Sequence, residues 1–198
     1  MNGTGSQPGP ILPRHAGPEY VEIVTERCVE RFMRKLLLSS AQFQALVLVS
    51  PLITALEGRR FNMAWLATKI EQDSIPTYVI TCEPQENYHR LGVEQLMECR
   101  NAEIRFNSSL HAKLYVAMSQ DIRAAFALFG SANLTVGGYE RNIELGMMVY
   151  GHGRGREVIN ELYRWGTTRL RTASGTKLVK RRNPIRRTWS WNSRNGSV

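Results

Sequence analysis

Cysteine is scarce in this chain: Cys28, Cys82 and Cys99 are scattered and odd in number. Such a set builds neither a disulfide framework nor a zinc spacing. The expectation is a reducing, cytoplasmic setting, with the thiols packed as small hydrophobes. Long apolar runs are also missing. The longest candidates, Ala45–Val49 and Ala124–Phe129, fall well short of the roughly 18–20 residues that a membrane helix needs, so no stable membrane insertion is expected. Residues 1–18 are rich in Gly and Pro and have no apolar core, which excludes a secretory signal in that stretch. They are expected to be a disordered arm. No metal-ligand spacing occurs among His15, His89, His111 and His152, and His89 and His152 are expected on the surface. Gly151-His152-Gly153-Arg154-Gly155 lacks the last glycine of a dinucleotide loop, because position 156 is Arg.

What the chain does have is positive charge, unevenly placed. Its formal net charge is +9 over 198 residues. Residues 175–198 hold seven basic residues and no acid, which leaves 19 basic and 17 acidic residues in the rest. The segment is therefore a basic C-terminal tail. Lys180, Arg181, Arg182, Arg186 and Arg187 are candidate contacts to a nucleic-acid backbone. Trp189 and Trp191 sit among these arginines, where they could stack on bases or dock the tail onto its own domain.

The length suggests one domain, expected over 19–174. Tyr20, Ile23, Val24, Cys28, Phe32, Leu36 and Leu37 recur at three- and four-residue steps and predict a helix from near Glu19. Strands are predicted at 45–50, 77–82 and 102–106, with helices over 62–71 and 87–99 between them. Leu91, Leu96 and Met97 are expected inward on the second of these helices, and Trp65 in the core. Consecutive strands follow at 110–117, 124–130 and 142–150. A helix over 157–170 closes the domain, with Val158, Ile159, Leu162 and Trp165 inward. Strand–helix alternation followed by a run of strands implies an α/β layered fold with a mixed sheet flanked by helices.

The chemistry-bearing residues lie in that second run. On a strand, His111 and Lys113 project to one side. A histidine can act as nucleophile or proton carrier near neutral pH, and a lysine beside it supplies a fixed charge for a phosphate oxygen. Gly130-Ser131-Ala132-Asn133 ends the next strand. Its small residues permit close backbone approach, while Ser131 and Asn133 offer donors to an anion. Glu144 follows and can hold an imidazole in one orientation. The constellation occurs once, and no second His-x-Lys exists in the chain.

The segments His111-Ala112-Lys113-Leu114-Tyr115, Gly130-Ser131-Ala132-Asn133-Leu134-Thr135 and Asn142-Ile143-Glu144-Leu145-Gly146 resemble the phospholipase D superfamily, also called the HKD family. The family's motif usually carries Asp five residues after the Lys, where this chain has Met118. The resemblance implies the family's α/β/α layered fold and a two-step, metal-independent reaction. One His attacks phosphorus to give a phosphohistidine. A second His protonates the leaving oxygen and then activates water. By the same resemblance His111, Lys113, Asn133 and Glu144 are catalytic, Lys113, Ser131 and Asn133 hold the phosphate, and no cofactor is required.

Long members of the family carry two motif copies, and short ones pair two subunits. A single copy therefore implies a homodimer with one His111 from each chain at a shared site. The function expected is an endonuclease acting on DNA or RNA. Two alternatives stand beside it. One is a lipid-directed phospholipase or phosphatidyl transferase. The other is a non-catalytic nucleic-acid-binding subunit of a larger, for instance host-defence, assembly.

Overall fold

The computed structural model describes residues 19–183. One eight-stranded mixed sheet runs through it, in the order β1 (Val21–Val24), β7 (Gly146–Tyr150), β6 (Phe126–Gly130), β5 (Leu114–Ser119), β2 (Phe43–Val49), β3 (Thr77–Thr81), β4 (Ala102–Phe106) and β8 (Lys177–Lys180). The first half of the chain alternates strand and helix: β2 (Phe43–Val49), α2 (Met63–Gln72), β3 (Thr77–Thr81), α3 (Asn87–Glu98) and β4 (Ala102–Phe106). β2, β3 and β4 are parallel neighbours, as helical crossovers require. Asn62 starts α2 by accepting a hydrogen bond from the Trp65 amide at 3.0 Å, a cap worth about 1 kcal/mol. The later strands β5 (Leu114–Ser119), β6 (Phe126–Gly130) and β7 (Gly146–Tyr150) form an antiparallel meander. β5 joins it to the parallel half by pairing antiparallel with β2.

Helices cover both faces. Alternate residues of the central strands feed two cores: Leu46, Leu48, Tyr115, Ala117 and Leu128 point to α1 (Cys28–Leu37), α2 and α3. Val47, Val49, Val116 and Ala127 point to α4 (Gly155–Arg164) and the turns after it. Phe32 of α1 anchors the first core, with its ring centroid 5.5 Å from Tyr115 and 5.3 Å from Phe126. The layered α/β expectation is met.

Several local expectations are corrected. The stretch expected to begin a helix at Glu19 is instead β1 (Val21–Val24), paired antiparallel with β7. The helix begins at Cys28, after Arg27 adopts a left-handed backbone with φ of 51°. Two apolar patterns simply abut there. His89 is 2% exposed, with Nε2 3.1 Å from the Thr81 hydroxyl, so it is not a surface residue. Trp65 and Leu91 are exposed instead of packed inward. Val158 is also exposed, while Ile159 is buried.

Part of the expected tail is structural. β8 (Lys177–Lys180) pairs antiparallel with β4. Lys180 Nζ donates to the Cys99 and Ala102 carbonyls, and burial lowers its pKa. Lys180 is thus tied to backbone instead of being free for phosphate. The Arg182 guanidinium lies 5.0 Å from the Tyr78 ring, and Arg181 is exposed. Arg186, Arg187, Trp189, Trp191 and residues 1–18 lie outside the described residues.

Candidate active site

Strand polarity brings the expected site residues to one end of the sheet. Val49 at the end of β2 pairs with Leu114 at the start of β5, Leu114 pairs with Phe129, and Gly130 pairs with Gly146. His111 and Lys113, residues 131–133 and Glu144 therefore all sit just beyond this edge. It is also where the strand order reverses, since β2, β3 and β4 step one way and β5 returns to the other side of β2, and α/β sheets commonly bind ligands outside such switch points.

His111 and Lys113 precede β5 instead of lying within it. His111 is exposed and Lys113 half-buried. The Lys113 ammonium donates to the His111 carbonyl at 2.8 Å, and among the described residues it pairs with no carboxylate. The Gly130 amide donates to the Lys113 carbonyl at 3.3 Å, which ties the two motif segments together. Cys82 lies beneath them, its thiol 3.8 Å from the Leu110 carbonyl. Burial raises that thiol, while the Leu110 contact and the Lys113 charge act against the rise.

The expected role of small residues at 130–132 has a clear basis at Gly130. A Cβ there would stand 2.2 Å from the Leu145 carbonyl oxygen. Beyond it the chain turns, and the Ser131 amide donates to that same carbonyl at 3.0 Å. Ser131 Oγ accepts from the Leu145 amide at 3.0 Å and donates to Glu144 Oε2. Glu144 Oε1 accepts from Asn142 Nδ2 at 3.0 Å. Glu144 is 8% exposed, and among the described residues it has no cationic partner. Its carboxylate is thus held by Ser131 and Asn142, and among the described residues His111 is not hydrogen-bonded to it.

Two positioning residues were absent from the sequence reading. Ser50, fully buried at the end of β2, donates to the Leu52 carbonyl at 2.6 Å and accepts from the Leu134 amide at 3.0 Å. Asn133 Oδ1 lies 3.5 Å from the same hydroxyl. Tyr115, also in the core, donates to the Ala132 carbonyl at 2.8 Å. Burial pushes its phenol well above the ordinary value, which keeps it a neutral donor. Between them these residues hold both sides of the 131–134 loop. A polar residue closing an apolar strand, and a buried tyrosine needing a partner, were the available signals.

Met118, where the motif usually has Asp, lies on β5 opposite Ala45. It packs against the apolar layer under α4. A carboxylate there would face hydrocarbon, so the apolar residue suits this fold. No group of three or more His, Cys, Asp or Glu that could hold a metal occurs among the described residues. No helix among them is long and apolar enough to cross a membrane.

The family described as cardiolipin synthase, PLD-like domain matches residues 52–165, more than half of the chain. The fold is similar to that of Nuc from Salmonella typhimurium, described as a phospholipase D family member. There the TM-score is 0.53 at 14% identity, covering 81% of this chain and 98% of that one. NucT from Helicobacter pylori gives 0.51 at 13% identity, covering 73% and 93%. Phosphatidylserine synthase from Haemophilus influenzae Rd KW20 gives 0.51 at 14%, covering 80% of this chain and 39% of that one. At these identities the likeness is one of fold. No curated protein sequence matches the chain.

Proposed function

The chain belongs to the phospholipase D superfamily, through its cardiolipin synthase, PLD-like domain, and from that premise we propose that it is a metal-independent nuclease working as a homodimer. The observation that carries this reading is the open end of the sheet. There an exposed His111 and a lysine that has no carboxylate partner among the described residues stand beside the Ser131–Asn133 loop, in one copy.

In the proposed reaction a nitrogen of His111 attacks phosphorus. A P–N bond forms as the P–O bond to the leaving nucleoside breaks. His111 of the second copy gives its proton to the leaving oxygen. It then takes a proton from water, whose oxygen attacks phosphorus and breaks the P–N bond. The Lys113 ammonium offsets the charge on the non-bridging oxygens throughout, and the Asn133 side-chain NH2 donates a hydrogen bond to them. Glu144, buried with two neutral donors as its partners, is read as orienting an imidazole, and Ser131 as holding Glu144 in place. Fully exposed Ile143 and exposed Leu145 flank Glu144. An apolar rim of this kind supports a second copy packing over that end of the sheet.

The basic balance of the chain supports nucleic acid as the substrate. The test is a panel of labelled single-stranded DNA, double-stranded DNA and RNA incubated with the protein in EDTA. Cutting that His111→Ala abolishes is the expected result. A strict need for Mg²⁺, or activity that survives His111→Ala, overturns the mechanism. Turnover of phosphatidylglycerol vesicles in place of nucleic acid moves the substrate to lipid. A monomeric mass at working concentration removes the shared site.

A further inference from the structure

A cavity of about 540 Å³ opens beside the candidate active site, within the usual range for small-ligand pockets. One wall is the long connection from β2 to α2, with Thr54, Leu56 and Arg59. The second is α3, with Tyr88 and Leu91. The third is the segment just after Asn133, residues 135–137. Connection and segment are joined: Ile53 bridges Leu134, and the Thr54 amide donates to the Leu134 carbonyl at 2.9 Å. The cavity therefore continues directly from the loop that carries Asn133.

Its chemistry is mixed in a particular way. Thr54 Oγ1 and Arg59 Nε are buried and have no hydrogen-bond partner among the described residues. Buried polar atoms are nearly always paired; these two lie just under the cavity wall, in residues that line it, so a ligand there reaches them as Thr54 and Arg59 turn toward it. Arg59 is already neutralised. Its guanidinium pairs with Glu140 and reaches the Glu57 carbonyl at 3.4 Å. Its remaining donor is the Nε N–H, with the net charge already met, which suits a neutral polar group better than a phosphate. Opposite stand Tyr88, 53% exposed, and Leu91, an aromatic ring and an apolar side chain with little to cover them. Gly92 keeps that wall close. A Cβ there would lie 2.5 Å from the Thr54 carbonyl carbon, so α3 rests directly on the β2–α2 connection. Exposed Arg141 belongs to the lining as well.

We propose that this cavity is a nucleobase pocket. It takes the base of a nucleotide next to the scissile phosphate, laid against Tyr88 and Leu91. As Thr54 and Arg59 turn toward it, a ring nitrogen or exocyclic oxygen of the base accepts hydrogen bonds from the Thr54 hydroxyl and Arg59 Nε. A base seated there is out of its stack, so the substrate class is single-stranded nucleic acid or a locally opened duplex. The inference rests on the nuclease reading above, and its test separates the two.

The full chain is assayed in EDTA on a short single-stranded oligonucleotide and on versions with one abasic site stepped through the sequence. One abasic position beside the cut is expected to raise KM roughly tenfold, in line with the loss of one stacked base. Tyr88→Ala and Thr54→Val are expected to cause a similar loss on the intact strand and no further loss on that abasic strand, with the thermal midpoint unchanged. Equal losses on both strands, or no dependence on abasic position, overturn the pocket and leave the nuclease reading standing. If the wild-type chain cuts neither strand, the nuclease reading fails, and anisotropy binding of the same oligonucleotides decides the pocket. Weakening by Tyr88→Ala that requires the base upholds it, and its absence overturns it. Binding to phosphatidylglycerol vesicles that Tyr88→Ala weakens, without any base-dependent effect, reassigns the cavity to an acyl chain and overturns the proposal.

Discussion

Lys113 and Lys180 carry the same charge into two very different settings. Lys113 stands at the open end of the sheet, half-buried, and among the described residues its ammonium hydrogen-bonds to a single carbonyl, that of His111. Lys180 stands at the sheet's side, clamped between the Cys99 and Ala102 carbonyls, with burial depressing its pKa. The first is available to a phosphate, while the second closes a strand edge. Counting basic residues along the chain treats the two alike, because the difference lies in which backbone groups remain unsatisfied nearby. Charge becomes a binding surface only where the fold has not already used it.

The sharpest way to break this contrast is substitution at the open end. His111→Ala is expected to cost about a thousandfold or more in turnover in EDTA, and Lys113→Ala about 10²–10³-fold. Lys180→Ala should stay within a few-fold on the same assay. A loss at Lys180 as large as that at Lys113 would dissolve the distinction. The next largest effect belongs to the cations beyond Asn183. A chain ending there loses Arg186, Arg187 and Arg194. If these contact phosphates, its log–log salt slope for DNA binding should flatten by about 2–3. Removal of Lys180 should leave that slope unchanged.

Stability reverses the ranking. Lys180→Ala gives up two charge-assisted hydrogen bonds and is expected to lower unfolding free energy by about 1–2 kcal/mol in urea titration. Lys113→Ala should change it by less than about 0.5 kcal/mol. The smallest effect is that of His89, in the parallel half. Burial lowers its pKa from the ordinary 6.5, so the unfolded chain takes up the proton first as pH falls. Its contribution is whole above about pH 6.5 and is lost as pH drops from there through the folded value. The slope cannot exceed about 1.4 kcal/mol per pH unit for one proton. A His89→Gln chain should show a flatter stability profile across that window, and an unchanged profile would place the acid sensitivity elsewhere.

Most of the layered fold was legible because its strands are short apolar runs and its helices are amphipathic. The candidate site was legible because His111, Lys113, Ser131, Asn133 and Glu144 fall in a fixed order. What was not legible depended on long-range packing. Val24 and Cys28 are four residues apart, a helical step, yet one ends an edge strand and the other begins a helix after Arg27 reverses the backbone. His89 is polar but buried, because Thr81 on the neighbouring strand offers it a partner. Leu91 is apolar but exposed, because its side of α3 borders a cavity instead of the sheet. β8 was hidden within a basic composition until β4 supplied a partner for it. The roles of Ser50 and Tyr115 depend on a loop 84 or 17 residues downstream, a relation that no local pattern carries.

The two outermost strands have a bearing on assembly. Among the described residues β1 and β8 are each four residues long. One carries Glu22 and the other Lys177 and Lys180, and the pairing of β8 shifts register between Ile104 and Arg105. Short, charged and irregular edges resist the addition of a further strand. The sheet is therefore poorly suited to grow sideways from one molecule into the next, which protects it from runaway polymerisation. The surfaces left for a second copy are the loops where the strands stop and the two helical layers, and not the sides of the sheet.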